Sequence, residues 1–279
     1  MTEIKNLTTD EERALYAVSD ANINNCTFEG PADGESALKE SRRINVSDCK
    51  FNLRYPIWHS HEFKLSDSVM TDTCRAPLWY SRDGVISGCR INGVKCLREC
   101  DNVILRDTVA VSPEFGWKCR GLKVEDCEIE SEYIFLESRD IEVKNLKLKG
   151  KYSFQYVRNA HIKDSFFNTK DSFWHAENIL IENTEIDGEY FGWYSKNLTL
   201  RGCTISGTQP FCYCDNLRLE NCRLVNCDLA FEYSSVSADI KGDIVSVKNP
   251  KSGRIEADSI GEIIKGNNVY PCDCEIVIR

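Results

Sequence analysis

An all-β, right-handed parallel β-helix is the fold this sequence predicts, and three observations carry the prediction. One register recurs every 19 residues without insertion at Cys89, Thr108, Cys127, Leu146, Ser165, Thr184, Cys203 and Cys222, and extends upstream through Ser68, Cys49 and Cys26 at spacings of 19 to 23. A fixed period of this length marks a solenoid. Between corners the apolar residues alternate with period two, and no turn holds a helical stretch, so the repeats read as strands rather than leucine-rich or helical units. The residue before each anchor is Asn, Asp or Gly throughout, the three types that tolerate a left-handed backbone, and this marks a corner.

Taken in chain order, the first element is a cap, because the end of a β-helix is an open sheet edge that invites pairing with another chain. Thr8 or Thr9 followed by Glu11 or Glu12 has the capping-box pattern, and Leu7, Ala14 and Leu15 supply an apolar side. Residues 8–18 are therefore expected as a helical lid within an N-terminal cap of residues 1–20. Residues 21–250 follow as a parallel β-helix of eleven to twelve coils. Its first strand points residues five and three before the anchor inward, such as Val103 and Leu105, and its second strand does so two after it, such as Ile129. A second corner recurs six before the anchor (Asp83, Asn102, Gly121), with Arg43 and Glu62 as exceptions to the corner types. After Cys222 the register loosens, Gly242-Asp243 reads as a further corner, and residues 251–279 are expected to close the base as a C-terminal coil and cap.

The unbroken repeat makes one elongated domain the reading for 279 residues with 42% apolar content. The start, MTEIKNLTTDEER, has no apolar run and no later stretch has the ~18 consecutive apolar residues of a membrane span, so a cytoplasmic protein with no membrane partner is expected. In that reducing setting the 15 cysteines are expected as thiols, with those of the anchor column packed as small apolar groups. The pairs Cys212-Tyr213-Cys214 and Cys272-Asp273-Cys274 lack the spacing of a zinc site, and no metal or cofactor is expected. A net charge of −9 argues against a nucleic-acid partner.

Candidate chemistry gathers on the third strand. Counting back from the following anchor, the eighth residue is always small (Ser41, Ser60, Ser81, Cys100, Cys119) and the seventh nearly always charged. Two adjacent columns before them are both bulky: Leu38, Ile57, Leu78, Leu97, Phe135, Phe154, Phe173 and Phe211, then Trp58, Trp79, Trp117, Trp174 and Trp193. Neighbours on a strand face opposite ways, so one set is expected at the surface as an aromatic strip, unless the loop Glu29 to Lys39 or a partner subunit covers it. The next column holds His59, Tyr80, Glu99, Lys118, Glu137, Tyr156, His175, Tyr194 and Tyr213. Rings flanked by carboxylates, Arg and His suit a sugar.

In this acidic chain the first coils concentrate cations, which makes Lys39, Arg54, His59, His61, Arg75, Arg82, Lys95, Lys118 and Arg120 candidate anion ligands beside Trp58, Trp79, Tyr80, Tyr156 and His175. Glu99 and Glu137, two coils apart and hence ~10 Å, match the separation of an inverting carboxylate pair, and Arg98 is a candidate base for lyase chemistry.

The coil pattern over residues 20–250 resembles the pectin-lyase-like single-stranded right-handed β-helix superfamily, which implies the fold and points to acidic-polysaccharide chemistry. The sequence has no Asn-Thr-Asp, Asp-Asp, Gly-His-Gly or Arg-Ile-Lys of polygalacturonases and no evident calcium-binding aspartate cluster of pectate lyases, so no catalytic residue carries over. The segments Glu35 to Ser41, Arg54 to His59, Arg75 to Tyr80 and Val94 to Cys100 resemble, over the whole chain, a bacterial family catalogued as domain of unknown function 3737. The expectation that emerges is binding of a carbohydrate or other anionic ligand along the third face, with or without lyase-like or glycoside-hydrolase-like activity on it. The alternative is a non-enzymatic assembly protein whose aromatic strip is a homo-oligomer interface.

Overall fold

A computed structural model describes residues 1–30 and 35–279. The chain is an all-β parallel β-solenoid of about 14 turns, more than the eleven to twelve expected, and none of the described residues is helical. It divides into two compact units, Met1–Glu142 and Val143–Arg279.

In the first unit the strands Ser19–Asn24, Arg42–Ser47, His61–Ser66, Arg82–Ser87 and Asp101–Arg106 pair in parallel, each with the next and in register. Ile23, Val46, Leu65, Ile86, Leu105 and Val124 form one interior row, every member at most 2% exposed. Full burial of such a side chain stabilises by ~1.5–3 kcal/mol, which is what holds the register. Phe63 enters the adjoining row opposite Gly84, where a Cβ would collide with the Phe63 ring. Both corner columns are left-handed, from Asn25 (φ 52°) to Asp126 (φ 54°) and from Asp20 (φ 54°) to Asn102 (φ 53°). Arg43 and Glu62 adopt the same conformation (φ 50° and 54°), and Arg43 is held there by Nε and Nη2 bonds of 2.7 and 2.8 Å to the Asp20 carboxylate one turn earlier.

The expected helical cap does not form. Thr2–Lys5 is a strand paired with Ser19–Asn24, Thr8–Thr9 pairs with Thr27–Glu29, and the amides of Arg13, Leu15 and Ala17 bond the carbonyls of Glu35, Ala37 and Lys39. Residues 2–18 are thus a first turn of the solenoid. The Thr9 hydroxyl accepts the Glu11 amide at 3.2 Å in a local turn, and Arg13 and Ala17 have positive φ, which a helix cannot accommodate.

In the second unit Arg158–Lys163, Glu177–Glu182, Lys196–Arg201 and Leu217–Val225 pair in the same way. Phe154 and Phe173 stack at 4.5 Å, and Phe191, Phe211 and Phe231 extend this fully buried column. Gly242 is a left-handed corner (φ 84°) as expected. Ser252–Ile264 pairs with Ser235–Lys248 along its length and Glu275–Ile278 pairs with Ser252–Ile264, so residues 251–279 add further turns of the same kind. All fifteen cysteines are free thiols. Burial pushes Cys49 and Cys227 up to about 12 and Cys127 up to about 11.

Candidate functional site

Apart from the short parallel strands Cys96–Arg98, Glu114–Trp117 and Tyr133–Ile134, the third segment of the turns is not a strand, and the alternation expected of one does not hold. The first and third residues of Phe154-Gln155-Tyr156 and Phe173-Trp174-His175 are left-handed (φ 57° and 58°, 58° and 54°), as are those of Phe211-Cys212-Tyr213 (62° and 58°). Two such residues around a single neighbour turn the chain twice within three positions. In the first two triplets the first side chain goes fully inside, the middle one lies half-buried against the next turn, and the third is exposed; in the last, Cys212 is fully buried and Tyr213 half-buried.

Neither bulky column is therefore the open strip that strand alternation predicts: the Leu, Ile and Phe column is fully buried, and the half-buried tryptophans form a row of staples. Trp79 Nε1 donates to the carbonyl of Lys95 (2.6 Å), Trp117 to Tyr133 (2.8 Å), Trp174 to Tyr190 (2.7 Å) and Trp193 to Gln209 (2.7 Å), each 16 residues on. Gln155 does the same to Asp171 at 2.8 Å. Trp58 is the exception, its Nε1 buried without a partner among the described residues.

In the first unit the candidate cations are largely engaged. Lys39 Nζ stands 4.8 Å over the Trp58 ring, Arg54 pairs with Glu35 (3.5 Å), Lys95 with Glu114 (3.8 Å), Lys118 with Glu137 (3.7 Å) and Arg120 with Asp101 (3.1 Å). His59 meets Glu40 at 3.5 Å and Tyr80 edge-on at 5.0 Å between centroids. Arg82 Nε donates to His61 Nδ1 at 3.1 Å. Burial first, then the Arg82 and Arg42 charges, hold the His61 imidazole below its ordinary value, so near neutrality it is the uncharged acceptor this bond needs. Arg75 is exposed. Of the loop Glu29 to Lys39, residues 31–34 lie outside the described residues.

Arg98 is held by aromatic faces. Its guanidinium lies between two indoles, 4.9 Å from Trp79 and 4.9 Å from Trp117. Glu99 and Glu137 are exposed, on the same row as Lys118, which lies between them in the ladder and pairs with Glu137.

The second unit brings the ninth-column rings together. Tyr156 stacks on His175 (4.9 Å, 8° between planes), His175 on Tyr194 (4.9 Å, 7°) and Tyr194 on Tyr213 (4.8 Å, 11°). The spacing is the inter-strand repeat of a sheet, set by backbone bonds such as His175 N to Trp193 O at 2.9 Å. Tyr156 is 49% and Tyr194 40% exposed. Because the ring faces cover one another, the ladder offers solvent its edges: phenolic hydroxyls and imidazole nitrogens. Desolvation, then the Glu232 charge, raises the Tyr213 phenol, which keeps it a hydroxyl donor. Tyr233 continues the column (5.5 Å from Tyr213) and Tyr270 meets Tyr233 edge-on at 5.2 Å. The sequence reading missed these two. Tyr233 was legible in Phe231-Glu232-Tyr233-Ser234, which repeats the pattern of Phe211 to Cys214 one residue out of register.

Among the described residues no group of three or more His, Cys, Asp or Glu could hold a metal ion, and no helix is long and apolar enough to cross a membrane. The A-module of the Azotobacter vinelandii mannuronan C-5 epimerase AlgE6 is similar in structure, with 11% identity, 92% of this chain and 89% of that one covered, and a TM-score of 0.46. PfbA, a surface adhesin of Streptococcus pneumoniae, matches at 9% identity over 88% of this chain and 72% of that one (TM-score 0.42). A tailspike protein of E. coli bacteriophage HK620, in complex with a hexasaccharide, matches at 8% over 98% and 73% (TM-score 0.40). No curated protein matches the sequence. The family described as "Protein of unknown function (DUF3737)" matches residues 2–277, and the chain belongs to it.

Proposed function

We propose that the second unit binds an extended carbohydrate along the ring ladder of Tyr156, His175, Tyr194 and Tyr213. The observation that carries this reading is the ladder itself: four rings on one row, 4.8 to 4.9 Å apart, each turning a hydrogen-bonding edge outward. A sugar chain carries hydroxyls at every ring, and a regular row of donors and acceptors meets them repeatedly along its length.

The test is a glycan array probed with the wild-type protein and with Tyr156→Ala/Tyr194→Ala, whose exposed rings leave the core untouched. Binding by the wild type that the double variant loses, with unchanged far-UV circular dichroism, is the expected result. Absence of binding to every glycan would sink the proposal, and light scattering that shows a dimer dissociated by the same double variant would replace it with an assembly surface.

A further inference from the structure

We infer that the ligand of the ladder is a neutral, hydroxyl-rich chain and not a polyanion, an inference that rests on the carbohydrate reading of the same face. The residue two positions after each ring is charged, and the sign alternates from turn to turn: Arg158 after Tyr156, Glu177 after His175, Lys196 after Tyr194, Asp215 after Tyr213. These four are neighbours in register, Arg158 beside Glu177, Glu177 beside Lys196 and Lys196 beside Asp215. Arg158 Nε lies 3.5 Å from Glu177 Oε2, and Asp215 Oδ1 accepts the Ser235 hydroxyl at 3.1 Å. A ligand on the ladder therefore meets two cations and two carboxylates, spaced at the pitch of the turns.

A polyanion would gain from such a row at two rungs and lose at the other two, with the −9 charge of the whole chain against it. A neutral glycan avoids the repulsion and still uses both signs, since its hydroxyls donate to Glu177 and Asp215 and accept from Arg158 and Lys196. The ring faces point to the same class by a different route. His175 is covered on one face by Tyr156 and on the other by Tyr194, with planes within 8°, which leaves no room for a sugar to stack between rungs. Recognition is then by hydrogen bonds at ring edges, one rung at a time. Each contributes little and the total grows with chain length.

The experiment measures affinity of the full chain for length series of neutral oligosaccharides and of their uronic-acid counterparts, at low and high salt. The expected result is binding of neutral oligomers that strengthens by about five-fold per added sugar up to four rungs, the factor for one net hydrogen bond near 1 kcal/mol, and that changes little with salt. The variant Arg158→Gln/Lys196→Gln should weaken neutral ligands by about five-fold for each hydrogen bond that the shorter amide fails to replace, and should leave their binding insensitive to salt. Tighter binding of the acidic series, weakened by salt and by this variant, would overturn the inference while leaving the carbohydrate reading standing. Failure of both series to bind would remove the two together.

Discussion

The imidazole of His175 lies on the phenol of Tyr194 with centroids 4.9 Å apart and planes 7° from parallel, and Tyr156 covers its opposite face at the same distance. Each aromatic pair contributes ~0.5–1.5 kcal/mol beyond area burial, so removal of the central ring in His175→Ala should cost about 1–3 kcal/mol in urea unfolding. His175→Tyr continues the row and should restore most of that loss. Equal destabilisation by the two variants would mean that the stack contributes nothing.

A second prediction concerns Arg98 between Trp79 and Trp117. A guanidinium presents two flat faces, and each cation–π contact is worth ~0.5–2 kcal/mol, so Arg98→Ala should lose about 1–4 kcal/mol and red-shift the tryptophan emission as water reaches the indoles. Arg98→Lys keeps the charge but not the plane, and should recover only a minor part of the stability. Full recovery with lysine would show that charge alone matters at this position.

The third prediction follows from the lowered pKa of His61. Above pH ~6.5 the imidazole is neutral in both folded and unfolded chains, and His61 adds no pH dependence. Below that value the unfolded chain takes up the proton first, while burial and the Arg82 and Arg42 charges keep the folded form from doing so. Stability should therefore fall as pH drops from about 6.5 towards the folded value, and His61→Gln should flatten that limb of a pH series of urea melts. An unchanged slope would contradict the assignment.

Sequence alone was enough for the parts of the fold that repeat by residue type. The Asn, Asp and Gly columns marked both corners, and even Arg43 and Glu62, which broke the type rule, sit in left-handed corners because the turns on either side fix the backbone. Gly84 leaves a gap in an apolar column, which the Phe63 ring of the preceding turn fills. The third face was harder to read for a physical reason. Its left-handed residues are mostly Phe, Tyr, His, Glu, Leu and Lys, types that carry no signature for that conformation, so period-two reasoning sent one of the two bulky columns to the surface without deciding which. The lid failed similarly, since a local capping pattern at Thr9 and Glu12 was overridden by inter-turn bonds from Arg13, Leu15 and Ala17. The basic cluster was visible, but not the carboxylates of Glu114, Asp101 and Glu137 that lie beside Lys95, Arg120 and Lys118.

A fourth prediction comes from the Trp193 staple. Trp193→Phe keeps a ring against Trp174, which stacks on it at 5.3 Å, but removes the Nε1 donor and leaves the Gln209 carbonyl, 2.7 Å away, without it. The cost should be about 1–3 kcal/mol, the range for an unsatisfied half-buried acceptor. Equilibrium hydrogen exchange should show the amides near Gln209 opening more often than those of the distant Arg158–Lys163 strand, since the staple ties one turn to the next.

The anchor column gives the last prediction. Its cysteines alternate with Ser68, Thr108 and Ser165, whose hydroxyls donate to the carbonyl two residues back at 2.7, 2.8 and 2.8 Å. The Cys127 thiol already points at the equivalent carbonyl of Glu125 (3.1 Å), so a serine there finds a ready acceptor, and Cys127→Ser should shift stability by less than ~1 kcal/mol. Cys127→Val has no donor and adds a methyl group in a packed corner, and should cost about 1–3 kcal/mol. The same burial governs reactivity. Of the fifteen free thiols only Cys272 is not buried, and desolvation and the Asp273 charge raise its pKa, so a thiol reagent at mildly alkaline pH should label one site per native chain and the remainder only on unfolding. Rapid labelling of several thiols in the folded protein would show that the corners breathe, and that the cysteine column is not the close-packed interior described above.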